Sequence, residues 1–351
     1  MTQTCNESHS DFILLGFSKK PYLEKICFWV TLFFYCMTVT GNVVIIIISW
    51  KDPKLHTPMY FFLSNLSLLD LCFTSSCVPQ MLINFWGPEK TISYVGCAIQ
   101  LFVFLWLGAT ECVILVVMAV DRYVAVCHPL QYNIIMHTKL CLNLSILAWG
   151  IGLVQSLIQS PTTLQLPFCS GQEIDDIVCE VPALIQISSA DTTYNELQMS
   201  ISSIILLVVP LMIIIWSYSS IAKAVLKIKS TAGQKKAFGT CSSHLLVVFL
   251  FYGTVTAVYL QPKNNYTHEN GKFFTLFYTV VTPTLNPLIY TLRNKEVKGA
   301  LRRLRGKNLH SGENNVYHVD KSWTRDICVN KDMYNIIFNV MRNHIQTLIQ
   351  I

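Results

Sequence analysis

Apolar positions along this chain come in long, nearly uninterrupted runs separated by short polar stretches. They follow neither the two-residue alternation of a half-buried strand nor the 3.6-residue stripe of a surface helix. Seven windows stand out: Ile26 to Trp50, Pro58 to Leu82, Thr91 to Val120, Leu140 to Leu164, Leu197 to Ala222, Ala237 to Gln261 and Phe273 to Leu292. A bilayer core about 30 Å thick needs about 20 apolar residues at about 1.5 Å rise each, so every window suits a membrane-spanning helix. Outer-membrane barrels instead show alternating segments of about ten residues, and unsatisfied backbone leaves helices as the fitting alternative. The pattern predicts an all-α membrane protein, a bundle of seven transmembrane helices.

Composition agrees with the pattern. Of 351 residues, 52% are hydrophobic and 13% are charged, against about 25% charged in a soluble domain. Such a chain cannot cover a globule with solvated side chains, and it is neither disordered nor collagenous nor a coiled coil.

The few charges orient the spans. Residues 161–200 hold no Lys or Arg but carry Glu173, Asp175, Asp176, Glu180, Asp191 and Glu196. Lys223, Lys227, Lys229, Lys235 and Lys236 fall between spans 5 and 6, and Arg293, Lys295, Lys298, Arg302, Arg303, Arg305 and Lys307 follow span 7. Basic segments stay cytoplasmic, which puts the amino terminus outside. Residues 1–25 are polar without a short apolar core and cleavage site, so span 1 is expected to act as its own insertion signal. The net charge of +6 is an inner-leaflet bias, and no basic-aromatic interleaving suggests nucleic acid.

Most of the 13 Cys lie within spans, as small apolar residues do. Cys97, Cys169 and Cys179 sit on the oxidising side. A Cys97–Cys179 bridge would pin the acidic loop across the helix mouth. Asn6 opens a glycosylation sequon on the outer tail and Asn265 another in a short outer loop, whereas the Asn65 and Asn143 sequons fall inside spans.

Span 3 closes with MAVDRYVAVC at 118–127, and span 7 carries NPLIY at 286–290. The two resemble the signature motifs of rhodopsin-like (class A) G-protein-coupled receptors. LHTPMYFFLS at 55–64, KAFGTCSSHL at 236–245 and FYGT at 251–254 resemble, more specifically, the olfactory receptors. The similarity runs from about residue 10 to about residue 304. There are departures: Ser189 stands where a third outer-loop Cys is usual, Gly239 where Ser is, and Val120 where Tyr is. Residues 305–351 form an atypical tail, read either as the product of an alternative carboxyl-terminal exon or as carrying a helix over 332–349 with Ile336, Ile337, Val340 and Met341 on one face.

The resemblance implies a plasma-membrane odorant receptor with no cofactor. It would bind a small volatile molecule within the bundle and activate a heterotrimeric G protein of the stimulatory olfactory type, raising cyclic AMP. It divides the chain into an extracellular tail (1–25), the receptor bundle (26–292), a juxtamembrane amphipathic helix (293–304) and a cytoplasmic tail (305–351). Arg122 is expected to pair with Asp121 beside Tyr123 in the resting state, then to meet the G protein. Tyr218 and Tyr290, with Asn286 and Pro287 of the span 7 motif, complete the switch, Tyr218 and Tyr290 turning inward to hold the freed guanidinium. By helical spacing from the motifs, the ligand pocket draws on Phe104, Leu105, Gly108 and Ala109 in span 3 and Ser202, Ser203 and Leu206 in span 5. Span 6 would add Tyr252, Val255, Thr256 and Tyr259, and span 7 Leu276 and Thr279. Such a wall, mostly apolar with a few hydroxyls, suits a small neutral ligand.

Asp70 and Glu111 are carboxylates at membrane depth, each alone in its span. Such groups normally face the bundle interior and find a partner. One reading has both protonated and hydrogen-bonded to Asn42, Asn286 or Ser67; the other has them facing each other and sharing a cation or a proton.

Absences narrow the field. There is no HExxH, GxSxG, Walker loop or paired CxxC, which removes the common enzyme signatures, and no metal site is expected. No acid lies in the outer half of span 3 for an amine ligand, and no Lys lies in span 7 for a retinal Schiff base. Span 6 lacks Pro, leaving Gly253 as its point of flexibility. A transporter is the rival reading; the odd span count and the lack of an internal repeat oppose it.

Overall fold

The computed structural model describes residues 11–17, 21–88, 90–168, 172–227, 230–260, 268–293 and 295–307. Asn6, Cys169, Asn265 and the expected helix at 332–349 lie outside the described residues. In chain order the helices are α1 (Pro21–Lys51), α2 (Pro58–Trp86), α3 (Tyr94–Cys127), α4 (Tyr132–Ile135), α5 (Thr138–Leu164) and α6 (Val181–Ile187). They continue as α7 (Thr193–Ser203), α8 (Val209–Leu226), α9 (Thr231–Tyr259), α10 (His268–Leu276), α11 (Thr282–Arg293) and α12 (Lys295–Lys307). Among the described residues, six helical stretches are long and apolar enough to cross a membrane: α1, α2, α3, α5, the α7–α8 run and the Cys241–Tyr259 part of α9.

Local chemistry sets the helix starts. Ser93 caps α3 by accepting from Gly96 N at 3.0 Å, and Ser230 caps α9 through Gly233 N at 3.3 Å. Pro58 opens α2 at its first turn, where its missing N–H costs nothing. Two wide π turns, Ile204–Val208 and Phe277–Val281, interrupt otherwise helical runs, each ending two residues before a proline, Pro210 and Pro283. A proline ring clashes with the carbonyl four residues back, and the wider turn moves that carbonyl away.

The bundle is centred on α2, the span with the largest buried share. Facing α3, α5 carries Gly152, where a Cβ would lie 2.2 Å from Thr110 Oγ1 and 2.4 Å from the Trp106 carbonyl oxygen. Glycine is what permits that approach. Buried polar side chains stitch the same region. Asn65 Oδ1 accepts from Ser145 Oγ at 2.8 Å and Trp149 Nε1 at 3.3 Å, Trp106 Nε1 donates to the Trp149 carbonyl at 3.0 Å, and Ser156 Oγ donates to the Phe102 carbonyl at 2.6 Å. Outward, Trp29, Phe33, Met212, Trp216 and Phe249 are exposed, an arrangement stable against lipid and not against water.

The outer end is closed by a small sheet with strand order β2-β1-β3, absent from the sequence expectation. Its central strand β1 (Phe12–Leu14) pairs antiparallel with β2 (Thr91–Ile92) and parallel with β3 (Glu173–Ile174) of the acidic loop. Gly16 then turns the chain at φ +49°, a conformation that favours glycine. Its carbonyl accepts from Lys272 Nζ at 2.7 Å, and Lys272 also pairs with Asp175. Lys90 pairs with Glu24 across the same rim. The Cys97–Cys179 disulfide, with Cα atoms 5.5 Å apart, fastens the loop to the start of α3.

Candidate functional site

A cavity opens beneath this cap, between α3, α5, the α7–α8 run, α9 and Tyr278. Its volume is about 90 Å³. Phe104, Leu105, Gly108 and Ala109 form its α3 wall, as the one-face spacing predicts. Ser202, Ser203 and Leu206 line the side where the π turn follows α7, and Val255 and Tyr259 line the α9 side.

Four expected wall residues do not line it. Tyr252 is buried against α3, donating to the Cys112 carbonyl at 3.0 Å. Thr279 turns its hydroxyl back to the Thr275 carbonyl at 2.5 Å, and Leu276 packs against the core. Thr256 likewise sits off the cavity surface. The span 7 contribution is Tyr278 instead, since the π turn rotates the helix face presented inward. Phe73, Cys112, Met199, Leu207 and Phe251 add apolar surface, and Gln155 and Gln159 bring a polar wall from α5. Helical spacing identifies residues that share a face, but not which helix closes a cavity, so α5 was not foreseen.

Above the cavity, Tyr278 OH donates to Glu180 Oε2 at 2.6 Å and Tyr259 OH reaches the same oxygen at 3.4 Å. Glu180 is fully buried and hydrogen-bonded to the carboxyl of Asp176. Burial, then the Asp176 charge, pushes Glu180 up to about 8, and burial pushes Asp176 up to about 6.

At the cavity's inner edge, Glu111 lines the wall and its Oε1 accepts no hydrogen bond. It acts electrostatically on Asp70, and Asn286 Nδ2 donates to both Asp70 oxygens at 3.1 Å. Asn42, one of the anticipated partners, instead donates to the Thr38 and Pro283 carbonyls. Among the described residues no group of three His, Cys, Asp or Glu is placed to hold a metal ion.

At the inner end of α3, Arg122 Nη2 lies 3.6 Å from Asp121 Oδ2, and Arg122 Nε is 3.2 Å from Met59 Sδ. A partner the sequence did not reveal, Tyr132 of α4, donates to Asp121 Oδ1 at 2.8 Å. Burial, then the Asp121 carboxylate, pushes the Tyr132 phenol above its usual range. Tyr218 OH is held by His244 Nδ1 at 2.7 Å, Tyr290 OH is buried without a hydrogen bond, and both lie within electrostatic reach of Arg122. Tyr123 packs on Trp216 with ring centroids 5.2 Å apart. Pro287 packs on α1 at Gly41, where a Cβ would come within 2.9 Å of its ring. Beside this end, Arg303 of α12 pairs with Asp52 at 2.6 Å, and Tyr60 OH donates to Glu296 at 2.8 Å.

Comparison with known proteins fixes the family. The profile of the olfactory receptor family matches residues 31–307. Olfactory receptor 2H2 of Homo sapiens is 63% identical over 298 residues, 85% of this chain and 96% of that protein. Olfactory receptor 2H1 of Homo sapiens is 61% identical over 302 residues (86% and 96%), and olfactory receptor 2C1 of Mus musculus 58% over 302 residues (86% and 97%). The chain belongs to the olfactory receptor family.

Members of this family are multi-pass receptors of the plasma membrane and not enzymes, and they bind odorants and G proteins. Helix α3 carries the Phe104–Ala109 wall of the cavity nearer one end and Asp121 and Arg122 near the other.

Proposed function

We propose that this olfactory receptor binds small volatile molecules in the cavity bounded by Phe104, Leu206, Val255 and Tyr278 and activates a stimulatory G protein of the olfactory type, raising cyclic AMP. The supporting observation is the cavity itself, mostly apolar and beneath a bridged loop, as suits recognition of a small neutral ligand. Residues 268–293 serve as the seventh span, which puts the amino terminus outside and α12 along the cytoplasmic face. The domain reading follows: outer tail 1–25, bundle 26–292, juxtamembrane helix 293–304, cytoplasmic tail 305–351.

Arg122 acts as the switch. Its pairing with Asp121 holds the resting state, and its release lets it meet Tyr218 and Tyr290 and engage the G protein. Asp70 and Glu111, with Asn286, form a polar site that shares a proton or a cation and loses it on activation. An odorant drives this only through unequal affinity for the two states.

The test is cyclic AMP in cells expressing the full chain with the olfactory-type stimulatory G protein, exposed to a broad panel of volatiles. A dose-dependent rise that disappears in Arg122→Ala at equal surface display is the expected result. An undiminished response in Arg122→Ala removes the switch, and a displayed receptor silent to every volatile removes the odorant reading.

A further inference from the structure

The cavity's polar groups are unevenly spread. Tyr259 and Tyr278 direct their hydroxyls to Glu180, and Ser203 Oγ is committed to the Met199 carbonyl at 2.8 Å. Hydrogen-bonding capacity toward the interior gathers on one wall, between α5 and α7. There Gln155 Nε2 donates both to Gln159 Oε1 at 2.5 Å and to Ser202 Oγ at 2.8 Å. That leaves the Ser202 O–H and the Gln159 amide N–H, on an almost fully buried side chain, as donors with cavity residues around them. With the oxygen and nitrogen of both amides exchanged, Gln159 Nε2 and Ser202 Oγ both donate to Gln155 Oε1, and the spare donors on this wall become amide N–H groups of Gln155 and Gln159.

Charge narrows the ligand further. Among the described residues no Lys, Arg or His lines the cavity, while Glu111 does. A carboxylate ligand would meet no counter-charge and one acid. Glu111 is also far from the donor wall. Ser156 bonds the Phe102 carbonyl, so the Gln155 level matches the outer part of α3, and Glu111 follows Phe102 by nine residues, or about 13 Å along the helix. The surface between is apolar, with Phe104, Leu105 and Cys112.

We infer that the receptor is tuned to neutral molecules with an apolar body and one carbonyl-type acceptor, whose oxygen receives the Ser202 and Gln159 donors of the α5–α7 wall. This rests on the odorant reading above and names its ligand class. A hydrocarbon of the same shape leaves the donors unpaired, which costs roughly tenfold in affinity.

The probes are 2-octanone, octane, octanoate and octylammonium, one carbon count with four head chemistries. Each is measured as a thermal shift of the purified full chain in lipid nanodiscs and as cyclic AMP in cells. 2-Octanone should bind about tenfold more tightly than octane, with octanoate weakest. Gln159→Leu and, separately, Ser202→Ala should shrink the ketone advantage to about threefold or less while leaving octane binding in place. A ketone preference in the thermal shift with flat cyclic AMP would uphold the inference and overturn the signalling reading. Preference for octanoate or octylammonium, or an intact ketone advantage in both folded variants, overturns the inference. So does binding of other volatiles with no preference for the ketone over octane.

Discussion

Tyr132 donates its hydroxyl to Asp121 Oδ1 at 2.8 Å while Arg122 Nη2 stands 3.6 Å from Oδ2 of the same carboxylate. The short helix α4 therefore shares the acid that pairs with the arginine. Asp121 is fully buried, so it depends on both partners. A hydrogen bond to a charged group contributes about 1.5–3 kcal/mol. If the Asp121–Arg122 pair holds the resting state as proposed, Tyr132→Phe should raise odorant-free cyclic AMP several-fold at equal surface display. An unchanged baseline would show that Tyr132 only packs.

The Cys97–Cys179 bridge ties the outer loop to α3, and Cys179 N also donates to Gln100 Oε1 at 2.8 Å. Losing a native disulfide costs about 2–5 kcal/mol. Cys179→Ser should sharply reduce surface display in flow cytometry, and adding Cys97→Ser should cost little more. Cys36, free and exposed on α1, supplies the control: Cys36→Ser should be displayed normally.

The acid pair above the cavity makes the outer cap sensitive to pH. Glu180 is raised to about 8 and Asp176 to about 6, each mainly by burial. Asp175 and Lys272 stand beside Asp176, and Tyr259, Tyr278 and Cys77 face Glu180 from α9, span 7 and α2. Burial pushes both carboxyls above the ordinary range of about 4, so the folded cap favours their protonated forms. Its stability is greatest below that range and declines as pH rises through 6 and then 8. The melting temperature of the receptor in nanodiscs should fall between pH 6 and pH 9. Glu180→Gln, which keeps the hydrogen bonds but cannot ionise, should flatten the upper part of that fall. A wild-type profile already flat over this interval would show that the cap does not depend on protonation of these carboxyls.

Much of this architecture was legible because a bilayer punishes exposed backbone and charge so heavily that spans announce themselves as uncharged runs. The Phe104–Ala109 wall was legible too, since α3 is regular and its face follows from spacing. Tyr278 was missed where the π turn before Pro283 shifts the register, so the spacing that nominated Thr279 points elsewhere. Gln155 and Gln159 were missed because the placement of α5 depends on a contact, Gly152 against Trp106 and Thr110, that no periodicity encodes. Strands of two or three residues are shorter than any alternation test, which hid the outer sheet. Tyr132 lies in a short loop helix, where only tertiary packing brings it to Asp121.

Two glycines of α5 give a controlled test of that decisive contact. At Gly152 a Cβ would press on the Trp106 carbonyl at 2.4 Å and on Thr110 Oγ1 at 2.2 Å, whereas at Gly150 nothing lies within 4 Å. The carbonyl belongs to a helix that cannot yield without moving, so Gly152→Ala must push α3 and α5 apart. Overpacking of this kind costs about 1–3 kcal/mol. Separation would also strain the Ser156–Phe102 and Trp106–Trp149 hydrogen bonds and displace Gln155 and Gln159 from the cavity. Gly150→Ala meets no neighbour and, in a helix interior, should be neutral or stabilising by up to about 1 kcal/mol. Melting temperatures of the two variants in the same nanodiscs should therefore move apart, Gly152→Ala downward with weakened odorant potency and Gly150→Ala level or upward. Equal melting temperatures would mean that α3 and α5 do not approach as closely as this geometry requires.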